Sequence, residues 1–123
     1  MLEAYSTAVA VGELGNIPFE NVTIKKGCTV ELSGPATIQF NKCGIYMVSC
    51  DATASASTTI QLYKNGIEQP QAQSTGTTLS FLTLVQVPEN NTCCPCSSPT
   101  ICQIVSTEGV TFDSVNIVVT KVV

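Results

Sequence analysis

Residues 45–52 read Ile45-Tyr46-Met47-Val48-Ser49-Cys50-Asp51-Ala52. Successive side chains of a strand point to opposite faces, so this stretch separates into two sets. Ile45, Met47, Ser49 and Asp51 share one face, and Tyr46, Val48, Cys50 and Ala52 share the other. No helical spacing fits it. The alternation predicts a strand over 45–55, the longest clear one in the chain.

Outward from that stretch, the β-formers Val, Ile, Thr, Tyr and Phe recur in short runs separated by Gly, Pro and Asn. Tyr5–Val11 reads as a first strand, broken by Gly12–Pro18. Asn21–Ile24 is a brief extended piece, and Thr29–Leu32 and Thr37–Phe40 flank the turn Ser33-Gly34-Pro35. Thr59–Tyr63 ends in Lys64-Asn65-Gly66, and Asn-Gly is the strongest short hairpin signal. Thr77–Val87, Ile101–Ser106 and Val115–Val122 complete a set of about eight strands. The Ala/Ser/Thr-rich tract Asp51–Thr59 reads either as a strand end packed closely on a neighbour or as a loose loop. Pro88–Thr100 reads as an exposed loop between strands. With 123 residues and no internal repeat, the expectation is one all-β domain spanning 1–123.

Composition narrows the function classes. Only 11% of residues are charged against 44% hydrophobic, so the surface is mostly neutral and polar. The net charge is −4, with five lysines and no arginine. Phosphate and base-edge recognition lean on arginine and a basic stripe, so neither nucleic acid nor an anionic membrane is expected as a partner. Met1–Tyr5 carries no positive n-region and no long apolar h-region follows it, so the expectation is a chain without a signal peptide that folds in the cytosol.

The catalytic inventory is thin. Histidine is absent, which removes Ser-His and Cys-His nucleophiles and the imidazole proton shuttle. Nine acids are scattered without paired spacing, and Gly12-x-x-Gly15 lacks the helix and Lys-Ser/Thr of a phosphate loop. No enzyme activity, metal or cofactor is expected. Asp51 is the one acid inside the long 45–55 strand. It is either gathered with copies from other chains or solvated beyond the packed region.

Seven cysteines cannot all pair within one chain. Cys93, Cys94 and Cys96, with Cys102, allow three readings: a disulfide closing the loop such as Cys96–Cys102, free thiols, or a thiolate zinc site whose spacing is poor. Cys50 fits a small core hydrophobe. Cys28 and Cys43 flank strand ends within plausible reach of each other. The sequons Asn21-Val22-Thr23 and Asn90-Asn91-Thr92 matter only in a eukaryotic secretory protein.

The segment Phe40-Asn41-Lys42-Cys43-Gly44-Ile45-Tyr46-Met47-Val48-Ser49 resembles the central strand of the C1q/TNF-like jelly rolls, with its Gly-x-Tyr-x-Val-Ser. Ile60–Gly66 resembles that family's next strand and Asn-Gly turn, and Leu79–Val87 and Val115–Lys121 follow in order. The pattern is most similar to small jelly-roll proteins of Gram-positive bacteria and their phages: spore-surface tips, head decorations and head fibres. Where the family has a Gly-Asp turn before the penultimate strand, this chain has the Cys-rich loop.

The resemblance implies a two-sheet antiparallel sandwich assembled as a homotrimer, one sheet facing the threefold axis. It places Met47, Ser49, Asn116, Val118 and Thr120 toward the axis, and Tyr46, Val48, Cys50, Val115, Ile117 and Val119 in the core. Val118 makes the last strand apolar on both faces, a pattern that suits burial on both. The alternative is a monomer with a hydrophobic edge. Two functions follow as expectations. One is a structural protein of the virion surface, made in the host cytoplasm and docked on the major capsid protein or another virion protein. The other is a ligand-binding or adhesive module of a cell or spore surface, although no Gly-X-Y repeat is present in the chain. A cytosolic regulatory domain is a third.

Overall fold

The computed structural model describes residues 1–27, 29–87 and 100–122. Its described elements are nine strands and no helix: β1 (Leu2–Val11), β2 (Gly15–Asn16), β3 (Asn21–Lys25), β4 (Val30–Leu32), β5 (Ile38–Phe40), β6 (Gly44–Lys64), β7 (Ile67–Val87), β8 (Thr100–Ser106) and β9 (Val110–Lys121). Every pairing is antiparallel.

β6 and β7 are long enough to serve two sheets. The first half of β6, Tyr46–Ala54, pairs with β9, which continues to β1 and β3. Its second half, Ile60–Lys64, pairs with β8, which continues to β5 and β4. β7 follows β6 around the same corner and, among the described residues, forms the outer edge of both sheets. Apart from the β4–β5 and β6–β7 hairpins, successive segments cross from one sheet to the other, which is jelly-roll wiring.

The corner is made of small residues. Between the pairs Thr53–Thr78 and Thr58–Gly76 the register shifts, so β6 spends four residues where β7 spends one. Ala52 and Ala54 still point into the core, whereas Ser55, Ala56 and Ser57 are exposed at the bend. The tract Asp51–Thr59 is therefore continuous strand, not a loop. Ile67–Gly76, which carries Pro70 and little apolar periodicity, is also strand. It lies at a sheet edge, where an absent N–H costs no ladder bond.

The core lies between the sheets. Leu2, Ile17, Phe19, Ile38, Phe40, Tyr46, Ile60, Leu62, Ile104, Phe112 and Ile117 are all essentially inaccessible. The Tyr46 ring meets Phe40 edge-on at 4.6 Å and 61°, and its hydroxyl donates to the Lys42 carbonyl at 2.7 Å. Buried Ser6 pins the 17–20 segment: its hydroxyl donates to the Pro18 carbonyl at 2.7 Å and accepts the Glu20 N–H at 2.8 Å. The Lys64-Asn65-Gly66-Ile67 hairpin closes as its sequence predicts, with Asn65 and Gly66 at φ of 51° and 79°.

The register also defines two ends. Leu2 faces Val119 and Tyr46 faces Lys121, and Lys64 Nζ donates to the Gln86 carbonyl at 2.6 Å, so the chain's first residues, the Asn65-Gly66 hairpin and the last strand's end lie together. The opposite end holds the Gly12–Gly15 turn, the β6 corner and the Thr107–Gly109 connection.

Candidate interaction surface

The outer face of the first sheet is built of cross-strand rows that the register fixes. Nearest the corner, Thr7, Ser114, Thr53 and Thr78 form a row across β1, β9, β6 and β7. Tyr5, Asn116, Asp51 and Ser80 form the next. Glu3, Val118, Ser49 and Leu82 form the third, and Thr120, Met47 and Leu84 the fourth. Polarity therefore falls along the face, from hydroxyls near the corner to Met, Val and Leu at the other end.

Met47, Ser49, Asn116, Val118 and Thr120 all project from this outer face, and each is half-buried by its neighbours within one protomer. Tyr46, Val48, Cys50, Val115, Ile117 and Val119 alternate with them and are at most 1% exposed. Asp51 is exposed in the isolated protomer, flanked by Asn116 and Ser80.

Leu82 and Leu84 were not singled out by the sequence reading. They are 63% and 60% exposed, on the edge strand that borders the face. With Met47, Gln71 and Thr83 they line an open depression of about 530 Å³. The signal was present: Leu79, Phe81, Thr83, Val85 and Val87 alternate into the core, so Leu82 and Leu84 make β7 apolar on its second face too. An edge strand of this length and character is an exposed pairing and packing surface.

The cysteines divide. Cys102 is a free, buried thiol in β8, so the Cys96–Cys102 disulfide expected as one reading is corrected: Cys102 faces the core beside Ile104 and Ile38 instead of the loop. Cys50 is likewise free and buried. Burial pushes both thiols up to about 12, with neighbouring Asp51 adding to the effect at Cys50 and Lys64 opposing it at Cys102. Cys43 is disulfide-bonded, and neither Cys50 nor Cys102 is its partner. Cys28, Cys93, Cys94 and Cys96 lie outside the described residues. Among the described residues no three Cys, Asp or Glu side chains converge as a metal cluster.

On the outer face of the second sheet, the Tyr63 hydroxyl donates to Glu68 at 3.0 Å, and this hydrogen bond to the carboxylate raises the Tyr63 pKa. This face is polar, carrying Gln39, Gln103 and Gln73 around Tyr63.

No family model matches the sequence, and no curated protein matches it. Solved structures do match in shape. PRD1 vertex protein P5 superposes with a TM-score of 0.67 at 9% identity, covering 99% of this chain and 96% of that one. Murine APRIL gives 0.63 at 8% identity with 98% of each chain covered. Rabbit GITRL gives 0.62 at 12% identity, covering 100% and 95%. At such identities the likeness speaks for the fold alone, and the fold is a two-sheet antiparallel jelly roll of the TNF/C1q-like type.

Proposed function

We propose that this chain is a non-enzymatic structural protein of a virus particle, a homotrimeric phage capsid decoration or head fibre. It would be made in the host cytoplasm and seated on the major capsid protein or another virion protein. The observation that carries the reading is the apolar end of the first sheet's outer face, where Leu82 and Leu84 stand in water beside Met47, with Val118 on the strand beyond. Fully burying a leucine side chain is worth about 1.5–3 kcal/mol, and these two are 63% and 60% exposed, so covering both contributes a few kcal/mol per protomer toward association. The likeness in fold to a protein named as a vertex protein is in keeping with a particle setting. The thin catalytic inventory and mostly uncharged surface fit a part that works by shape.

Three copies of the Met47, Ser49, Asn116, Val118 and Thr120 face would meet at the axis, with Leu82 and Leu84 covered by the neighbouring copy. Sedimentation at micromolar concentration tests the assembly, with a mass near three times the 12.9 kDa protomer expected. Leu84→Asp should return the protomer mass. Immunogold electron microscopy of purified virions tests the setting, and label on the head surface is expected. A monomeric wild-type chain would sink the trimer, and particles devoid of the protein would sink the virion role.

A further inference from the structure

The chain holds seven asparagines, and Asn65 alone is followed by glycine. That dipeptide has a chemistry of its own. The backbone nitrogen of the following residue attacks the asparagine Cγ and closes a five-membered imide ring. A side chain on the following residue shields that nitrogen, and glycine has no Cβ to do so. The other six asparagines precede Ile17, Val22, Lys42, Asn91, Thr92 and Ile117.

The fold holds Asn65 back from this reaction. Two hydrogen bonds pin it to β8: its N–H donates to the Ile101 carbonyl at 2.8 Å, and its Oδ1 accepts the Ile101 N–H at 2.9 Å. The second bond keeps the carboxamide against β8, whereas ring closure needs Cγ turned forward onto the Gly66 nitrogen. Asn65 and Gly66 sit at φ of 51° and 79°, and Lys64 pairs with Ile67 on either side of them, so these two residues are the whole of a tight turn. Turning the carboxamide forward takes the acceptor from the Ile101 N–H, so the hairpin must part from β8 before the ring can close.

We propose that Asn65 is a self-modification site gated by the Ile101 lock, and that its conversion opens the hairpin one way. The Gly66 nitrogen gives its proton to hydroxide and bonds to Asn65 Cγ. The bond from Cγ to the side-chain nitrogen breaks, and that nitrogen leaves as ammonia. Water then adds to one of the two imide carbonyls. Opening at Cγ gives aspartate, and opening at the Asn65 backbone carbonyl gives isoaspartate, whose main chain runs through Cβ. Nothing is oxidised or reduced: one carboxamide and one water become one carboxylate and ammonia. Isoaspartate puts an extra main-chain atom into a turn with no residue to spare. The carboxylate it leaves is displaced from the Ile101 N–H, and the lock does not reform.

The test incubates the full chain at pH 8, native and in strong urea, and follows each asparagine by peptide mass spectrometry as a gain of about one mass unit. In urea, Asn65 should convert ahead of the other six. In the native chain it should convert at least about tenfold more slowly, because the lock keeps the open form scarce. Ile101→Pro removes the donor, keeps the Ile101 carbonyl and should bring the native rate most of the way to the urea rate. Should that variant not fold, wild-type amide exchange decides: in low urea, Ile101 N–H exchange and Asn65 conversion should rise together. Gly66→Ala should slow conversion in strong urea by at least about tenfold, where the fold plays no part. Native protein enriched in the product should unfold at lower urea than fresh protein. Equal native and urea rates, another asparagine converting first in urea, Ile101 exchange that stays fixed while Asn65 conversion rises, or an unchanged midpoint after conversion would overturn the proposal.

Discussion

Thr58 Oγ1 and Ser106 Oγ lie 2.8 Å apart inside the sandwich, and their bond has only one possible direction. The Ser106 hydroxyl donates its single proton to the Glu108 carbonyl at 2.8 Å, so Thr58 must donate to Ser106. Thr58 Oγ1 in turn accepts the Glu108 N–H at 3.2 Å. The three residues close a ring that ties the β6 corner to the connection after β8. Thr58→Val keeps the shape and strands the Glu108 N–H. Losing these hydrogen bonds should cost about 1–2 kcal/mol, read as a lower urea midpoint at unchanged slope. Adding Ser106→Ala should cost less than the sum of the two single changes, because both break one ring.

Tyr46 combines a ring contact and a buried hydroxyl. Tyr46→Phe keeps the 4.6 Å packing on Phe40 but leaves the Lys42 carbonyl without its 2.7 Å donor. A loss of about 1 kcal/mol is expected in chemical denaturation. Tyr46→Ala empties a fully buried site and should cost about 3–5 kcal/mol, enough to consume much of a small domain's stability.

The thiols of Cys50 and Cys102 give an alkaline limit. Both are raised to about 12 by burial, against 9.0 for an unhindered thiol. Below pH 9 both states keep their protons and nothing is lost. Above it the unfolded chain ionises first and binds fewer protons than the native state, so stability falls from pH 9 through pH 12. Thermal melts at pH 8 and pH 10.5 should show the drop, and Cys50→Ala together with Cys102→Ala should flatten that slope. Neither thiol should react with iodoacetamide in the native protein at pH 8, whereas both should do so in urea.

Leu14 occupies the left-handed region at φ 55°, where a branched side chain is strained by about 1–2 kcal/mol. Leu14→Asn should therefore raise the unfolding free energy by about 1 kcal/mol, and the midpoint with it, because Asn tolerates this conformation and the side chain is 64% exposed. A midpoint that falls would contradict the strain assignment.

The hairpin at 65–66 depends on its two residues in different ways. Gly66 sits at φ 79°, so Gly66→Ala introduces strain of about 1 kcal/mol. Asn65 tolerates φ 51° and its Oδ1 accepts the Ile101 N–H at 2.9 Å, locking the hairpin to β8. Asn65→Ala should lose both and destabilise by about 1–2 kcal/mol, read from the same denaturation curves.

Much of the fold is legible in local pattern. The alternation from Ile45 to Ala52 separates core from outer face residue by residue, since a strand offers only two directions. Asn65-Gly66 specifies its turn because few residues accept positive φ in succession. The segment 67–76 is not legible this way. An edge strand with polar neighbours on one side needs neither apolar periodicity nor every N–H, so Pro70 and the glutamines disguise it. The tract 51–59 is ambiguous for a related reason: small residues serve both a tight strand corner and a loop.

Composition and alternation thus determine an all-β protein without histidine chemistry, because strand geometry is set by neighbours one and two residues away. Only the tertiary structure decides that Cys102 is a core thiol, that Leu82 and Leu84 flank Met47, and that Asn65 is held against Ile101. Those relationships join residues tens of positions apart, and they exist only once antiparallel register has fixed which strands lie side by side.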